Sequence, residues 1–525
     1  MAKFRGLLNI LFIAFLAAIW FAEWKLITSD LDSATEDRST TKSDFANSFK
    51  IAVVGAGAGG SSSAFWVSKA MQQSTFNTTI NIDIYERFSY VGGRSLVTNL
   101  PDINPYPYRT PTELGAHLFG EQELHLTRAS KEFALPLHNT TRSLDKFYIW
   151  NGGNLITIPL SLLDKLRFSL LKGSHCSLKT SVSEWATNVV TRILSKDDSA
   201  VQDNSTNLTH RLTTPLSFSL SDYLDQAGVP KSFANSLLMA SDRVSGSHWF
   251  LFIVRSPKFL KVNTTDNLQA MFASAFSRQQ HRIIGGTSRI FEEFVTRSGA
   301  SLFLNTEVTN IEHGLDTNLW KINTSKGAKE YDAVILAAPL YQSNISIPER
   351  FYRQIPLVLH REIHVTVIAT RSSSINRQFL GFPSGAEDIR YIISPSEGRP
   401  GQPAFSIMSY EREASPGVWI VKVISHSAIS AEWLLGAFND NVNWVHRHTW
   451  GVPVIAPTTG SHFLKLDEGF YFLNAFESVM SSMEGQVDAA RNLVDTLLHD
   501  TFGQGFCGTN DQTPRMLKED YLPGH

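Results

Sequence analysis

Lys50-Ile51-Ala52-Val53-Val54 is a short β-branched run, the form of a strand buried on both faces of a parallel sheet. Ile80 to Tyr85 predicts a second apolar strand. Between the two, Ser61 to Gln73 offers a helix. Further on, Ala300 to Ile311 alternates as a strand, and Tyr331-Asp332-Ala333-Val334-Ile335-Leu336-Ala337-Ala338-Pro339 reads as a buried strand ending in small residues and proline. Near the C-terminus Phe470 to Glu477 precedes a helix over Gln486 to Leu498, whose Val487, Ala490, Leu493, Val494 and Leu497 fall on one face. Strands separated by helices in this order predict an α/β fold around a parallel sheet.

The start of the chain has a different pattern. Lys3 and Arg5 precede an apolar run from Leu7 to Ala22, and Thr28 to Ser48 is polar. Residues 1–27 therefore read as a signal peptide or signal anchor, with Ala17, Ala18 and Ala22 as cleavage candidates, and 28–48 as a linker. The run is marginal for the about 20 apolar residues that a bilayer crossing needs. Seven Asn-x-Ser/Thr acceptors agree with secretory routing: Asn77, Asn139, Asn204, Asn207, Asn263, Asn323 and Asn344. Cys176 and Cys507 form one optional bridge or remain two thiols.

Composition narrows the class. A chain of 525 residues exceeds one hydrophobic core and suggests two domains. Its 42% apolar and 18% charged residues describe a globular body, and a net charge of -2 without a basic run gives no reason to expect nucleic acid. The 34 Phe and 11 Trp can line an apolar pocket, though ordinary core accounts for most such side chains.

The first strand runs directly into Gly55-Ala56-Gly57-Ala58-Gly59-Gly60. Gly55, Gly57 and Gly60 have the dinucleotide spacing: a tight turn, a close approach of backbone to pyrophosphate, and close packing of the next helix. The second strand ends in Glu86, which can accept hydrogen bonds from ribose hydroxyls and would repel a 2′-phosphate, so NADP is disfavoured. Gly92-Gly93-Arg94 follows, two glycines for close approach and a guanidinium that can pair with a diphosphate.

With Ile82 to Glu86 and Val91-Gly92-Gly93-Arg94-Ser95, the chain resembles the glutathione-reductase-like flavoproteins of the amine-oxidase branch. The resemblance implies FAD, bound non-covalently because neither cysteine lies in a flavin-adjacent motif. It implies that Glu113-Leu114-Gly115-Ala116-His117 runs beside the flavin and that the backbone of Val308 contacts adenine. It also implies that Glu477, Met483 and Glu484 adjoin the cofactor, at a helix start whose positive end stabilises reduced flavin.

Within that branch the chain is similar to the prenylcysteine oxidases, also called prenylcysteine or farnesylcysteine lyases. The likeness covers most of Phe49 to Leu498. It is carried above all by Trp450-Gly451-Val452-Pro453, Tyr471 to Ser478, Ser481-Ser482-Met483-Glu484 and Ala489-Ala490-Arg491-Asn492. It departs at Arg243-Val244-Ser245-Gly246 and at Gly285-Gly286-Thr287, where the family pattern has Gly-Gly-Asn.

The resemblance implies a Rossmann-type FAD-binding domain from 49–120, 283–345 and 466–502. By elimination, 121–282 and 346–465 are assigned to an inserted α+β substrate domain, and 503–525 to a tail. The resemblance also implies hydride loss from the prenyl carbon next to sulfur and addition of water. The products are a prenyl aldehyde, cysteine and, with molecular oxygen, hydrogen peroxide. His117 is the best-placed base for that water, against a merely packing role; Glu113 is either structural or functional. His446 and His448 read as a surface pair, and no metal site is expected. Leu162 to Leu171 and Asn188 to Leu194 look amphipathic and could cap a tunnel or touch a membrane, with core packing as the alternative. A lysosomal or vacuolar location is expected. The rival readings are an amine or polyamine oxidase of the same fold and a prenyl-binding escort without catalysis.

Overall fold

The computed structural model describes residues 48–73, 78–99, 111–120, 123–140, 146–150, 155–159, 280–314, 316–355, 359–382, 389–394, 404–454, 465–478 and 482–503. The leader, residues 28–47, both cysteines, 162–171, 188–194, 243–246, the tail beyond Gly503 and the acceptors Asn77, Asn204, Asn207 and Asn263 lie outside them. Apart from Ser48, Thr78 and Thr79, the described residues belong to one compact unit, 49–76 and 80–525.

In chain order the first strands are β1 Ser48–Val54, β2 Thr79–Tyr85, β3 Val97–Thr98, β4 Thr112–Glu113, β5 Phe119–Gly120, β6 Leu137–Thr140 and β7 Lys146–Trp150. Next come β8 Leu155–Pro159, β9 Gln280–Ile283, β10 Ser301–Phe303, β11 Val308–His313, β12 Trp320–Thr324, β13 Gly327–Tyr331 and β14 Ala333–Leu336. The last are β15 Leu359–Thr370, β16 Tyr391–Ile393, β17 Ile407–Ser415, β18 Val418–Ser425, β19 Val442–Val454, β20 Lys465–Asp467 and β21 Phe470–Phe472. The helices used below are α1 Ala58–Gln73, α2 Leu124–Glu132, α3 Arg289–Ser298, α4 Ala431–Ala437 and α5 Met483–Phe502.

One sheet has the order β10-β2-β1-β14-β21-β20. β1 runs parallel to β14, with Ile51 opposite Ala333 and Val54 opposite Leu336. β10 with β2, and β14 with β21, are also parallel. Side chains alternate between the two faces, and both faces are covered. Ile51, Val53 and Ile335 pack with Trp66 of α1, Phe291 and Phe294 of α3 and Leu493 and Leu497 of α5. Ala52, Val54, Val334 and Leu336 pack against Ile311, Trp320 and Ile322 of the three-stranded sheet β11-β12-β13. Burial on both sides is why the sequence of β1 and β14 shows no polar alternation. This is the α/β architecture expected from the sequence.

Two strand expectations change. Ala300 to Ile311 is not one strand but two, β10 in the parallel sheet and β11 in the three-stranded sheet. The break falls at Asn305, whose φ of +48 reverses the chain and which asparagine tolerates. Tyr331 ends β13 rather than opening β14, and the Asp332 carboxylate between them accepts the Lys50 N–H at 2.7 Å.

The second large sheet has the order β19-β15-β18-β17-β16-β7-β8. β15 is antiparallel to both β18 and β19, with Val367 opposite Lys422 on one side and His446 on the other. One face gathers Ile363, Val365, Val367, Ile420 and Ile424 with Leu114 and Trp450. The other packs Ile368, Val421 and Val423 against Leu434 and Ala437 of α4. Among the described residues no helix is long and apolar enough to cross a membrane.

Candidate functional site

A cavity of about 560 Å³ opens where β1, β2 and β14 end, the edge at which open α/β sheets bind ligands. β1 leads into Gly55 at φ +104, and a Cβ there would lie 2.9 Å from the carbonyl oxygen of Ala337. The turn therefore presses against the end of β14, and only glycine suits it. At Gly60 a Cβ would fall 1.8 Å from the Gly55 carbonyl oxygen, so its missing side chain lets α1 sit on its own turn. Gly55, Gly57, Ala58 and Gly59 line the cavity at the start of α1, whose unpaired N–H groups and dipole suit an anion such as a pyrophosphate.

The next loop closes over this turn. The Gly92 N–H donates to the Ala56 carbonyl at 2.9 Å, and Gly92, Gly93 and Arg94 line the cavity. Glu86, 7% exposed, stands at the end of β2. Its Oε2 accepts the Ala56 N–H and its Oε1 the Phe88 N–H, both at 2.9 Å, which fixes the carboxyl at the cavity wall with lone pairs to spare. Phe88 and Tyr90, stacked with ring centres 5.4 Å apart, line the same end. Desolvation and the Glu86 charge push the Tyr90 phenol up to about 12. Val308, at the start of β11, completes that wall.

The cavity is also lined by Ser482, Met483 and Gln486 from the beginning of α5, together with Glu123, Ala116 and Leu118. Ser482 caps α5, its hydroxyl accepting the Gly485 N–H at 3.0 Å. β19 lines it as well. Consecutive residues His448 to Val452 all line the cavity, as expected of a strand seen edge-on, and β19 is the outer strand of its sheet. The Trp450 indole N–H donates to the Leu114 carbonyl at 2.9 Å, and the His448 ring lies 4.1 Å from the Trp450 ring. Desolvation, then the neighbouring His446, lowers the His448 imidazole from its usual value. His448 thus belongs to the cavity wall and not to a surface pair. The alternation Trp444, His446, His448, Trp450 marks a single strand in the sequence but does not distinguish a cavity wall from a solvent-facing side.

Gly55, Gly57, Glu86, Gly92, Gly93, Arg94, Val308 and Met483, expected from the sequence to adjoin a cofactor, all line this one cavity. Gly60 lies beneath the turn, and Glu477 falls in the 3-10 turn Leu473–Ser478. Two expected contacts point elsewhere. Glu484, one residue past Met483 on α5, is rotated by the helical step onto α2, where its oxygens accept the N–H groups of His125 at 2.8 Å and Leu126 at 3.0 Å. His117 is buried between the cavity-lining Ala116 and Leu118 but is absent from the wall. Its Nδ1 is 2.8 Å from the Gly115 carbonyl, and its own carbonyl accepts the Thr287 hydroxyl at 2.8 Å.

Thr287, where the resemblance would place asparagine, also donates its N–H to Glu113 Oε1 at 2.8 Å. Burial pushes the Glu113 carboxyl up to about 7, against the pull of Thr287, Lys422 and Arg282. Among the described acceptors, Asn344 is exposed, Asn323 donates its amide to Glu312 at 3.1 Å, and Asn139 lies in β6.

Comparison with known proteins adds the family. Residues 199–511 match the family model described as prenylcysteine lyase. A farnesylcysteine lyase from Arabidopsis thaliana is 25% identical over 223 residues, which is 41% of this chain and 41% of that protein. Among solved structures, a putrescine oxidase variant aligns over 86% of this chain and 99% of its own, with a TM-score of 0.56 and 14% identity. A fatty acid isomerase from P. acnes aligns over 88% and 100%, with a TM-score of 0.55 and 14% identity. These two likenesses concern the fold alone. Parallel sheet, glycine turn and C-terminal helix agree with that fold, and the match over 199–511 assigns the lineage: the chain belongs to the prenylcysteine lyase family.

Proposed function

We propose that the cavity holds FAD non-covalently and that the protein is a thioether oxidase. S-prenylcysteine, water and molecular oxygen would give a prenyl aldehyde, free cysteine and hydrogen peroxide. The observation that carries this reading is convergence. The Gly55 turn, Glu86, the Gly92-Gly93-Arg94 loop and the start of α5 meet at one cavity that β19 also lines. The glycine cradle, with no room for a Cβ at Gly55 or Gly60, fits a dinucleotide.

In this reading the N–H groups at the start of α1 hold the pyrophosphate, and Arg94 adds positive charge. Glu86 accepts the ribose hydroxyls, and the backbone near Val308 receives adenine. The flavin supplies the hydride acceptor. The start of α5, capped by Ser482, favours negative charge at its end of the cavity. Trp450 and Val452 give an apolar surface that orients a prenyl chain and keeps water away from the thioether. His448, held neutral by desolvation, replaces His117 as the side chain able to take a proton at the cavity wall. The basic-apolar leader and the Asn-x-Ser/Thr acceptors support passage through the secretory pathway to a lysosome or vacuole, with membrane association through the N-terminal segment.

The test is a peroxide assay on purified protein with farnesylcysteine, geranylgeranylcysteine and spermine, with chromatography of the aldehyde. We expect bound FAD, peroxide from at least one prenylcysteine and the matching prenal. Peroxide from spermine alone would replace the thioether reading with amine oxidation.

A further inference from the structure

Glu123 brings a carboxyl group to the cavity wall, and Glu484 stands behind that wall on α5. Glu123 precedes α2 and lines the wall beside Ser482, Met483 and Gln486, while Glu484 lies on α5 just behind Met483. Glu484 is buried and Glu123 half-buried; desolvation opposes the charge of both, and the charge of Glu484 adds to the cost of charging Glu123. Such a pair carries one charge more readily than two.

Hydrogen-bond donors decide which member is charged. Both oxygens of Glu484 accept main-chain N–H groups at the start of α2. The His125 imidazole stands beside it. Desolvation opposes its charge, but Glu484 and Asp488 hold its affinity for the proton above the usual value, with Asp488 Oδ1 3.4 Å from Nε2. Arg491 is the remaining charged group near that imidazole. Glu123 has less support: Oε2 accepts the Gly120 N–H at 2.5 Å. Desolvation first, then the charge of Glu484, pushes the Glu123 carboxyl up to about 8. From β5 the Gly120 main chain donates to it, and Ser482 and Gln486, which line the same cavity, are uncharged. The negative charge therefore rests on Glu484 and the proton on Glu123.

We propose that Glu123 meets the cofactor as a neutral carboxylic acid, donating its O–H to an acceptor atom of the flavin dinucleotide, and that loss of this proton loosens the cofactor. This rests on the reading of the cavity as an FAD site. It assigns the contact at this wall to Glu123, through a proton, and gives Glu484 the task of keeping the proton there.

The sign of the pH effect follows from linkage. An occupied cavity holds the Glu123 proton more tightly than an empty one, so FAD binds best where that proton is present. Affinity should be constant below about pH 8 and fall by up to about tenfold per pH unit above it. Three other titratable side chains in the wall lie outside this window: His448 is lowered from an already smaller value, burial raises Tyr85 above 10, and Tyr90 is pushed up to about 12.

The experiment measures FAD dissociation from the holoprotein by recovery of flavin fluorescence between pH 6.5 and 9.5, for wild type and Glu123→Gln. We expect the wild-type Kd to rise above pH 8. Glu123→Gln, a permanent neutral donor, should bind FAD at pH 7 within a few-fold of wild type and show no such rise. The infrared C=O stretch of protonated carboxylic acids in the holoprotein at pH 7 should lose intensity in Glu123→Gln, the remaining band being that of Glu113. A wild-type Kd flat to pH 9.5, or the same rise in both proteins, overturns the proposal while leaving the FAD site intact. Wild-type protein that takes up no FAD at any pH overturns the cofactor reading and this proposal together.

Discussion

At Glu113, burial works against charge, while Thr287, Lys422 and Arg282 work for it. Burial wins and holds the carboxyl up to about 7, above its usual 4.5. The folded protein then keeps a proton that the unfolded chain gives up, so folding is favoured at low pH and weakens as pH rises between those values. The loss is on the order of 3 kcal/mol across the interval. Glu113→Gln should remove that slope, so that thermal melts at pH 5 and pH 8 differ less for the variant than for wild type. An unchanged slope would mean that the carboxyl ionises freely. The same residue scale explains what the sequence could not give. Types and spacings at Gly55, Glu86 and Gly92 were enough, because turn geometry leaves such residues few places to go. At Glu484 and His117 the type was right for a cofactor contact, but the outcome hung on one step along a helix or a strand, which spacing alone does not resolve.

Elements show the same division. The paired burial of β1 and β14 was legible because strands covered on both faces carry unbroken apolar runs. α5 was legible from its apolar face. The break between β10 and β11 was hidden because alternation continues through Asn305, where only the backbone reverses. β19 was hidden differently: Trp, His, His and Trp at alternate positions serve a solvent-facing strand and a cavity wall equally well. α5 carries its own prediction. Ser482 satisfies the Gly485 N–H and holds the helix start at the cavity. Ser482→Ala should cost about 1 kcal/mol of stability, seen in the urea midpoint, and should weaken FAD binding at the same time. A stability loss with unchanged FAD affinity would separate the cap from the cofactor.

For the whole molecule, the cavity is assembled from residues between Val54 and Gln486, so its occupant ties together segments far apart in sequence. Removing FAD should therefore lower thermal stability as one cooperative loss. Restoring it at a hundredfold excess over Kd should return about 2.7 kcal/mol, read as a shift in Tm on titration. A melt that ignores FAD would argue against this shared wall. One consequence comes from β19 standing edge-on. The outer side of an edge strand offers peptide groups rather than side chains, and peptide groups are the same whatever residue carries them. Contacts made by 448–452 through those groups are therefore insulated from mutational drift. Homologues can exchange the residues along this rim while keeping its polar grip, and their selectivity can diverge without rebuilding the scaffold.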